Sequence, residues 1–302
     1  MTANSTPGAS PAAKGSLEAS HKLPAGHRYL NLSTLWIPYF HLVIRAFYRL
    51  RIRHEVATAL SIGCGLAGAW VIAGLPGSGR FVTAAVLVHL KDVFDATDGA
   101  LARLTGTGHR FGRFLDTVGD GVTFTGWIAA TAWVMVTTGT SPAAAAGWAV
   151  AGWLCLFLQC SYYNFHHLHA VRVAGARSTS RLDEQSVEPA DRATAVMAAV
   201  YRVWFGWQDR LVARFDRRQR VSAGLPEDAA DPENDAWYRH RGLLVANSAL
   251  CFGTHTFVLV VLLLARRPEW FLPAVAIGMT AYLLMIVAAR RMVFRRDVRE
   301  TA

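Results

Sequence analysis

The sequence predicts an all-α integral membrane protein: six transmembrane helices preceded by an amphipathic juxtamembrane helix. Three observations predict it. Hydrophobic residues make up 53% of the 302-residue chain. They gather into runs of roughly 20, the length that crosses a hydrocarbon core of about 30 Å. The basic residues alternate between crowded and sparse connections, as loops on opposite sides of a membrane do. Lipid offers no partner for a backbone N–H or C=O, so each run must be helical.

In chain order, residues 1–34 read as a disordered cytoplasmic tail. Up to His27 they are rich in Ser, Ala, Gly and Pro, with no apolar core of a signal peptide. Residues 35–53 form the amphipathic helix: Phe40, Val43, Ile44, Phe47 and Leu50 share one face, and His41, Arg45, Arg49 and Arg53 lie away from it. It suits the inner membrane surface, and packing on the protein is the alternative. The spans are expected at 56–75, 81–104, 112–136, 143–166, 243–265 and 270–289, in a catalytic membrane domain of residues 54–290. The connection 171–241 is long. Its start is polar and irregular, and 192–220 reads as a second amphipathic helix. There Val196, Val200, Val203, Trp204, Trp207 and Leu211 recur at three- and four-residue steps, with Arg202, Arg210, Arg214 and Arg217 opposite. Residues 291–302 are a basic tail.

The net charge is +10. Basic residues crowd 45–53, 172–241 and 290–299, whereas Arg80, Arg266 and Arg267 are all that flank the alternate connections. Both termini and the long connection are therefore placed in the cytoplasm, the host being the cell (inner) membrane. Juxtamembrane arginine near anionic lipid explains the charge more simply than nucleic-acid binding, so nucleic acid is excluded as a partner. Cys64, Cys155, Cys160 and Cys251 fall within spans without CxxC spacing, which argues against a disulfide framework or a zinc site.

The informative anomaly is acidic. Asp92, Asp95, Asp98, Asp116 and Asp120 lie in or at the ends of two consecutive apolar helices. Each aspartate at a span centre costs roughly 2.5–3.5 kcal/mol. Asp95 and Asp98 are three apart and Asp116 and Asp120 four apart, so each pair shares a helix face. A hairpin turns the pairs toward each other. Four converging carboxylates require cations, and hard oxygen ligands select two Mg²⁺ or Mn²⁺ ions. Two such ions suit in-line displacement at phosphorus, and an ion-transport pathway also fits aspartates alone. Gly99, Ala102 and Gly112 leave room for a ligand beside the backbone, and Arg103 adds a fixed cation for phosphate oxygens.

Asp95-Ala-Thr-Asp98-Gly99-Ala-Leu-Ala102-Arg103, eight residues, then Gly112-Arg-Phe-Leu-Asp116-Thr-Val-Gly-Asp120 resembles the full signature of the CDP-alcohol phosphatidyltransferases. All eight fixed positions are present. The resemblance implies a transferase of phospholipid synthesis that forms a phosphodiester and releases CMP. It implies metal ligation by Asp95, Asp98, Asp116 and Asp120, with Asp120 also the general base. It places Gly99, Ala102, Arg103 and Gly112 at the nucleotide. The expected partners are a CDP-linked lipid donor, a small polar alcohol and membrane lipids, and a homodimer is left open. The expected donor is CDP-diacylglycerol. The alternative is choline- or ethanolamine-type transfer of a phosphoalcohol to a lipid hydroxyl. A non-enzymatic transporter has no use for the glycines and Arg103.

Two departures stand out. Many relatives carry Pro-Asn-x-x-Thr at the first span, where aligning on Thr58 gives His54 and Glu55. Relatives with glycerol phosphate or inositol-type acceptors often have Lys or Arg after the last signature aspartate, where Gly121 stands. His166, His167 and His169 read as interfacial anchors, with contact to the acceptor as the alternative, rather than as metal ligands. Lys91 suits a snorkelling or paired role, or a phosphate contact.

Overall fold

The computed structural model describes residues 25–74, 79–175 and 192–300, with Leu23 and Gly77. Its regular structure is helical, without strands among the described residues. The order is α1 (Phe40–Arg49), α2 (His54–Gly74), α3 (Arg80–Thr105), α4 (Arg110–Thr137), α5 (Pro142–Val173), α6 (Arg192–Trp204) and α7 (Gly206–Ser222). There follow α8 (Asp235–Arg239), α9 (Arg241–Ser248), α10 (Phe252–Leu264), α11 (Phe271–Pro273) and α12 (Thr280–Glu300).

Three helices are long and apolar enough to cross a membrane: α2, α5 and the rod Pro268–Phe294. The pair α9 and α10, bent by 43°, makes a fourth if counted as one span. The chain is thus a helical, multi-pass membrane protein. α3 and α4 fall outside that count, although their 26 and 28 residues are long enough. Charge explains it, since α3 carries Lys91, Asp92, Asp95, Asp98 and Arg103.

α2 packs along both α3 and α4, α10 covers another side of α3, and α5 and α6 lie on α4. The tight α2–α4 contact requires Gly65: a Cβ there would lie 2.3 Å from a Thr123 methyl, and the Gly65 carbonyl accepts from the Trp127 indole at 2.8 Å. Trp127, Phe124, Phe157, Leu259 and Phe271 fill the core. The rod Pro268–Phe294 contains a π-helical stretch, Ala274–Met279. The Gln159 amide of α5 donates to the Val275 carbonyl there at 3.1 Å and to the Thr280 hydroxyl at 3.0 Å, tying α5 to the rod.

Several expectations change. The tail was drawn to residue 34, yet the chain from Ala25 onward is folded against the bundle. Tyr29 bonds His167 at 2.7 Å, the Leu32 N–H donates to Ser248 at 2.9 Å, and Trp36 packs on His89 and Phe257. Residues 1–22 and the polar stretch 176–191 lie outside the described residues. α1 packs on the protein through Ile44 against Ala100 and Leu104, with Leu42 and Leu50 left exposed.

The expected helix 192–220 is two helices, broken at Phe205. Its buried face is not the apolar stripe of the sequence. Val196, Val203 and Leu211 are exposed, whereas Thr194, Tyr201, Phe205, Gln208, Val212 and Asp216 point inward. The inward polar groups have partners, and these select the face. Gln208 accepts from Ser161 at 3.0 Å. Asp216 accepts from Arg220 at 2.9 Å, from Trp237 at 2.9 Å and from Tyr238 at 2.7 Å.

The three histidines are buried rather than interfacial. His166 lies 3.2 Å from Asp216, His167 meets Tyr29, and His169 stacks on Tyr238 with ring centres 4.3 Å apart.

Candidate functional site

α3 supplies Lys91, Asp95 and Asp98, four and three residues apart along one face. α4 supplies Asp116 and Asp120. Between the helices α3 ends at Gly106, whose φ of 67° is left-handed. The Gly106 and Thr107 N–H groups both return to the Ala102 carbonyl, which turns the chain toward α4.

The carboxylates are gathered by partners on other helices. The Lys91 ammonium, fully buried, lies 3.1 Å from Asp95 Oδ1 and bonds Asp120 Oδ1. One lysine thus joins the α3 pair to the α4 pair. Asp98 accepts from the Thr58 hydroxyl at 2.6 Å, and Thr58 also donates to the His54 carbonyl one turn back on α2. Three helices therefore meet at the acidic cluster.

Arg103 folds back along α3. A Cβ on Gly99 would lie 3.2 Å from its Nη1, so the absent side chain makes room for the guanidinium. Arg103 is within electrostatic reach of Asp98 and Asp116. Gly112 sits apart from this group, beneath the rings of His109 and His54. Gly108, in the connection, faces Ala102: a Cβ there would lie 3.6 Å from the Ala102 methyl. Of the sequence-expected residues, Asp95 and Asp120 thus meet on Lys91, Asp98 on Thr58, and Arg103 over Gly99.

The acidic donors are oxygen atoms, and they fit hard divalent cations. The buried ammonium between Asp95 and Asp120 shows that the cluster accommodates positive charge between its two helices. The three-ligand group closest to metal spacing among the described residues is a different one, His54, Glu55 and His109.

A cavity of about 710 Å³ opens at the His54 end of α2, lined by Arg49, Arg51, Arg53, His54, Glu55 and Thr107 among others. That volume suits a small ligand. It borders the ends of α1, α2 and α3, one to two helical turns from Thr58 and Asp98.

Beside Asp120, Gly121 faces α6. A Cβ there would lie 3.1 Å from Phe205 and 3.4 Å from Trp204. The place where some relatives carry a basic side chain is filled by these aromatics.

Thr58, Lys91 and the Glu55–His109 contact are the features least visible in the sequence. Each is a pairing between helices. Only the i,i+4 step from Lys91 to Asp95 was readable.

Comparison with known proteins gives the family. The family model described as CDP-alcohol phosphatidyltransferase matches residues 55–215, more than half of the chain. That span contains the signature, the Thr58 contact and the aromatic wall of α6. No curated protein and no solved structure matches. The family uses divalent metal ions. The chain belongs to the CDP-alcohol phosphatidyltransferase family, transferases that move a phosphatidyl or phosphoalcohol group in phospholipid synthesis.

Proposed function

We propose that this chain transfers a phosphatidyl group from CDP-diacylglycerol to a small polar alcohol, releasing CMP. The observation that carries the reading is the joining of both signature pairs, Asp95 on α3 and Asp120 on α4, by the buried Lys91. Asp98 joins them through Thr58 of α2, which supports one site shared by three helices.

The residues divide the work. Asp95, Asp98, Asp116 and Asp120 would hold the divalent ions, Mg²⁺ or Mn²⁺, as an oxygen-only set. When bound, those ions supply neutralisation of the diphosphate charge. Asp120 accepts the proton of the acceptor hydroxyl. The freed oxygen attacks the lipid-side phosphorus of the diphosphate, and the bond from that phosphorus to the oxygen of CMP breaks. Arg103 lies beside the aspartates to meet phosphate oxygens. Lys91 holds Asp95 and Asp120 in register. Gly99, Ala102 and Gly112 keep backbone surface open for the nucleotide.

In the membrane, α3 and α4 span together with the four apolar segments, giving six spans. The basic ends support a site at the cytoplasmic face of the cell (inner) membrane. A lipid donor enters sideways between helices, and a polar acceptor arrives from the cytoplasm. The homodimer left open by the sequence gains no support from the structure.

One observation favours keeping the reverse assignment in the test. Gly121 has no room for a basic side chain beside Asp120, which removes one handle for a phosphorylated acceptor. Radiolabelled CDP-diacylglycerol, CDP-choline and CDP-ethanolamine, supplied separately to the purified protein in vesicles, decide it. We expect labelled phospholipid from CDP-diacylglycerol with a polar alcohol. Label entering lipid only from the soluble CDP-alcohols would reverse donor and acceptor.

A further inference from the structure

Beside the four aspartates, where α2 begins and α3 connects to α4, lies a second cluster of polar side chains. His109 is the N-cap of α4, and its Nδ1 accepts from the Gly112 N–H at 2.9 Å. That ring nitrogen therefore carries no proton, and a neutral imidazole must carry it on Nε2. His109 Nε2 lies 3.4 Å from Glu55 Oε1. Arg53 bonds the same carboxylate at 2.8 and 3.3 Å. His54 Nε2 lies 3.3 Å from the Thr107 carbonyl, which can only accept, and 3.7 Å from Glu55. The His54 and His109 rings, centred 5.3 Å apart, both lie on Gly112. A Cβ at Gly112 would come within 3.1 Å of His109 Cε1 and 3.5 Å of His54 Cε1.

The same three side chains offer nitrogen and oxygen atoms all within 4.8 Å, a spacing that a metal ion can use. Their protons count against an ion. A histidine ligating through Nε2 carries its proton on Nδ1, the atom already taken by the Gly112 N–H. Glu55 is already neutralised by Arg53.

We propose that Glu55 and His109 are a positioning pair. They clamp the first turn of α4 to the first turn of α2, and so fix Gly112 where the CDP donor's nucleotide binds. The inference rests on the transfer reading above. It also gives the departure at residues 54 and 55 a physical content. Glu55 has a partner on the far side of the nucleotide pocket, and His54 completes the floor over a signature glycine. Asp116 follows Gly112 by one turn, but α4 is held beyond that point by α2 and α6. A loosened first turn therefore weakens donor binding and leaves the chemical step in place.

The test uses the full chain in vesicles with the donor that turns over. Glu55→Ala removes the oxygen that accepts from His109. His109→Asn keeps a capping oxygen for the α4 N-terminus but is too short to reach Glu55. Each should raise KM for the donor about tenfold with kcat within about twofold. The double variant should be no worse than either single, because one contact is lost in all three. Amide exchange over residues 110–114 should quicken about tenfold in each single variant, a readout that needs no turnover. Unchanged KM and exchange, additive single effects, or a fall in kcat at constant KM overturns the pair. So does Zn²⁺ binding by the native protein that His109→Asn abolishes, which would make the cluster an ion site. Should the native chain turn over no CDP-alcohol, the transfer reading fails, and the exchange rates still decide the clamp.

Discussion

Replacing Asp120 by asparagine changes one oxygen to an amide and leaves the side chain almost the same size. Asp120 bonds Lys91 and, in the proposed role, takes the acceptor's proton. Asp120→Asn cannot act as a base and gives up a metal oxygen. We expect CMP release to fall well beyond about tenfold, more than about 1.4 kcal/mol of barrier, in protein that still purifies as a folded membrane protein. Turnover within tenfold of native would remove Asp120 from the catalytic role. The aspartates were legible in the sequence because a charge in an apolar run is costly and so conspicuous. Their partners were not. Thr58 reaches Asp98 across 40 positions of sequence, and Glu55 reaches His109 across 54. The histidines of α5 were misread for a related reason. Sequence alone does not separate a ring at the membrane surface from one buried on Tyr238 or Asp216.

Helices α6 and α7 show where periodicity misleads. The apolar stripe of the sequence was real, but the stripe that faces the protein is the one with polar partners. Asp216 is its anchor, tying α7 to α5 and α8. Burial pushes this carboxyl up, but the adjacent His166 ring and the hydrogen bonds from Arg220 and Tyr238 outweigh burial and hold it below its ordinary 3.8. The folded state therefore binds this proton less readily than the unfolded chain. The stability it contributes is complete above the ordinary carboxylate value and is lost as pH falls below it. Asp216→Ala leaves the Arg220 guanidinium buried without its carboxylate partner, and we expect a loss of about 3–5 kcal/mol. Thermal unfolding in detergent measures it. The variant's melting temperature should also respond less to acidification below about pH 4 than the native protein's. An unchanged melting temperature would show that the anchor contributes nothing. The face left over, with Val196, Val203 and Leu211, is exposed.

For the whole molecule, the sequence conveyed the helical class and the approximate helix ends. The proposed spans at 81–104 and 112–136 correspond to α3 and α4, within a few residues at each end. What length and composition alone do not carry is the count of six, because the functional charges lower the hydropathy of the two helices that bear them. The break between α9 and α10 was equally hidden. Orientation is testable directly. Single cysteines at Ser178 and Thr301 should react with a membrane-impermeant label only from the cytoplasmic side, and one at Thr140 only from outside. Labelling of Ser178 in intact cells would invert the topology and move the site to the other face.

Lys91 has a consequence for the life of the protein before its first turnover. A group of ionised aspartates would burden a newly made chain as it enters the bilayer, by a few kcal/mol for each charge near a span centre. The lysine travels on the same helix as Asp95, one turn away, and meets Asp120 as soon as the α3–α4 hairpin closes. Half of the charge that the bilayer would otherwise meet at Asp95 and Asp120 is thus offset by a residue the chain itself carries.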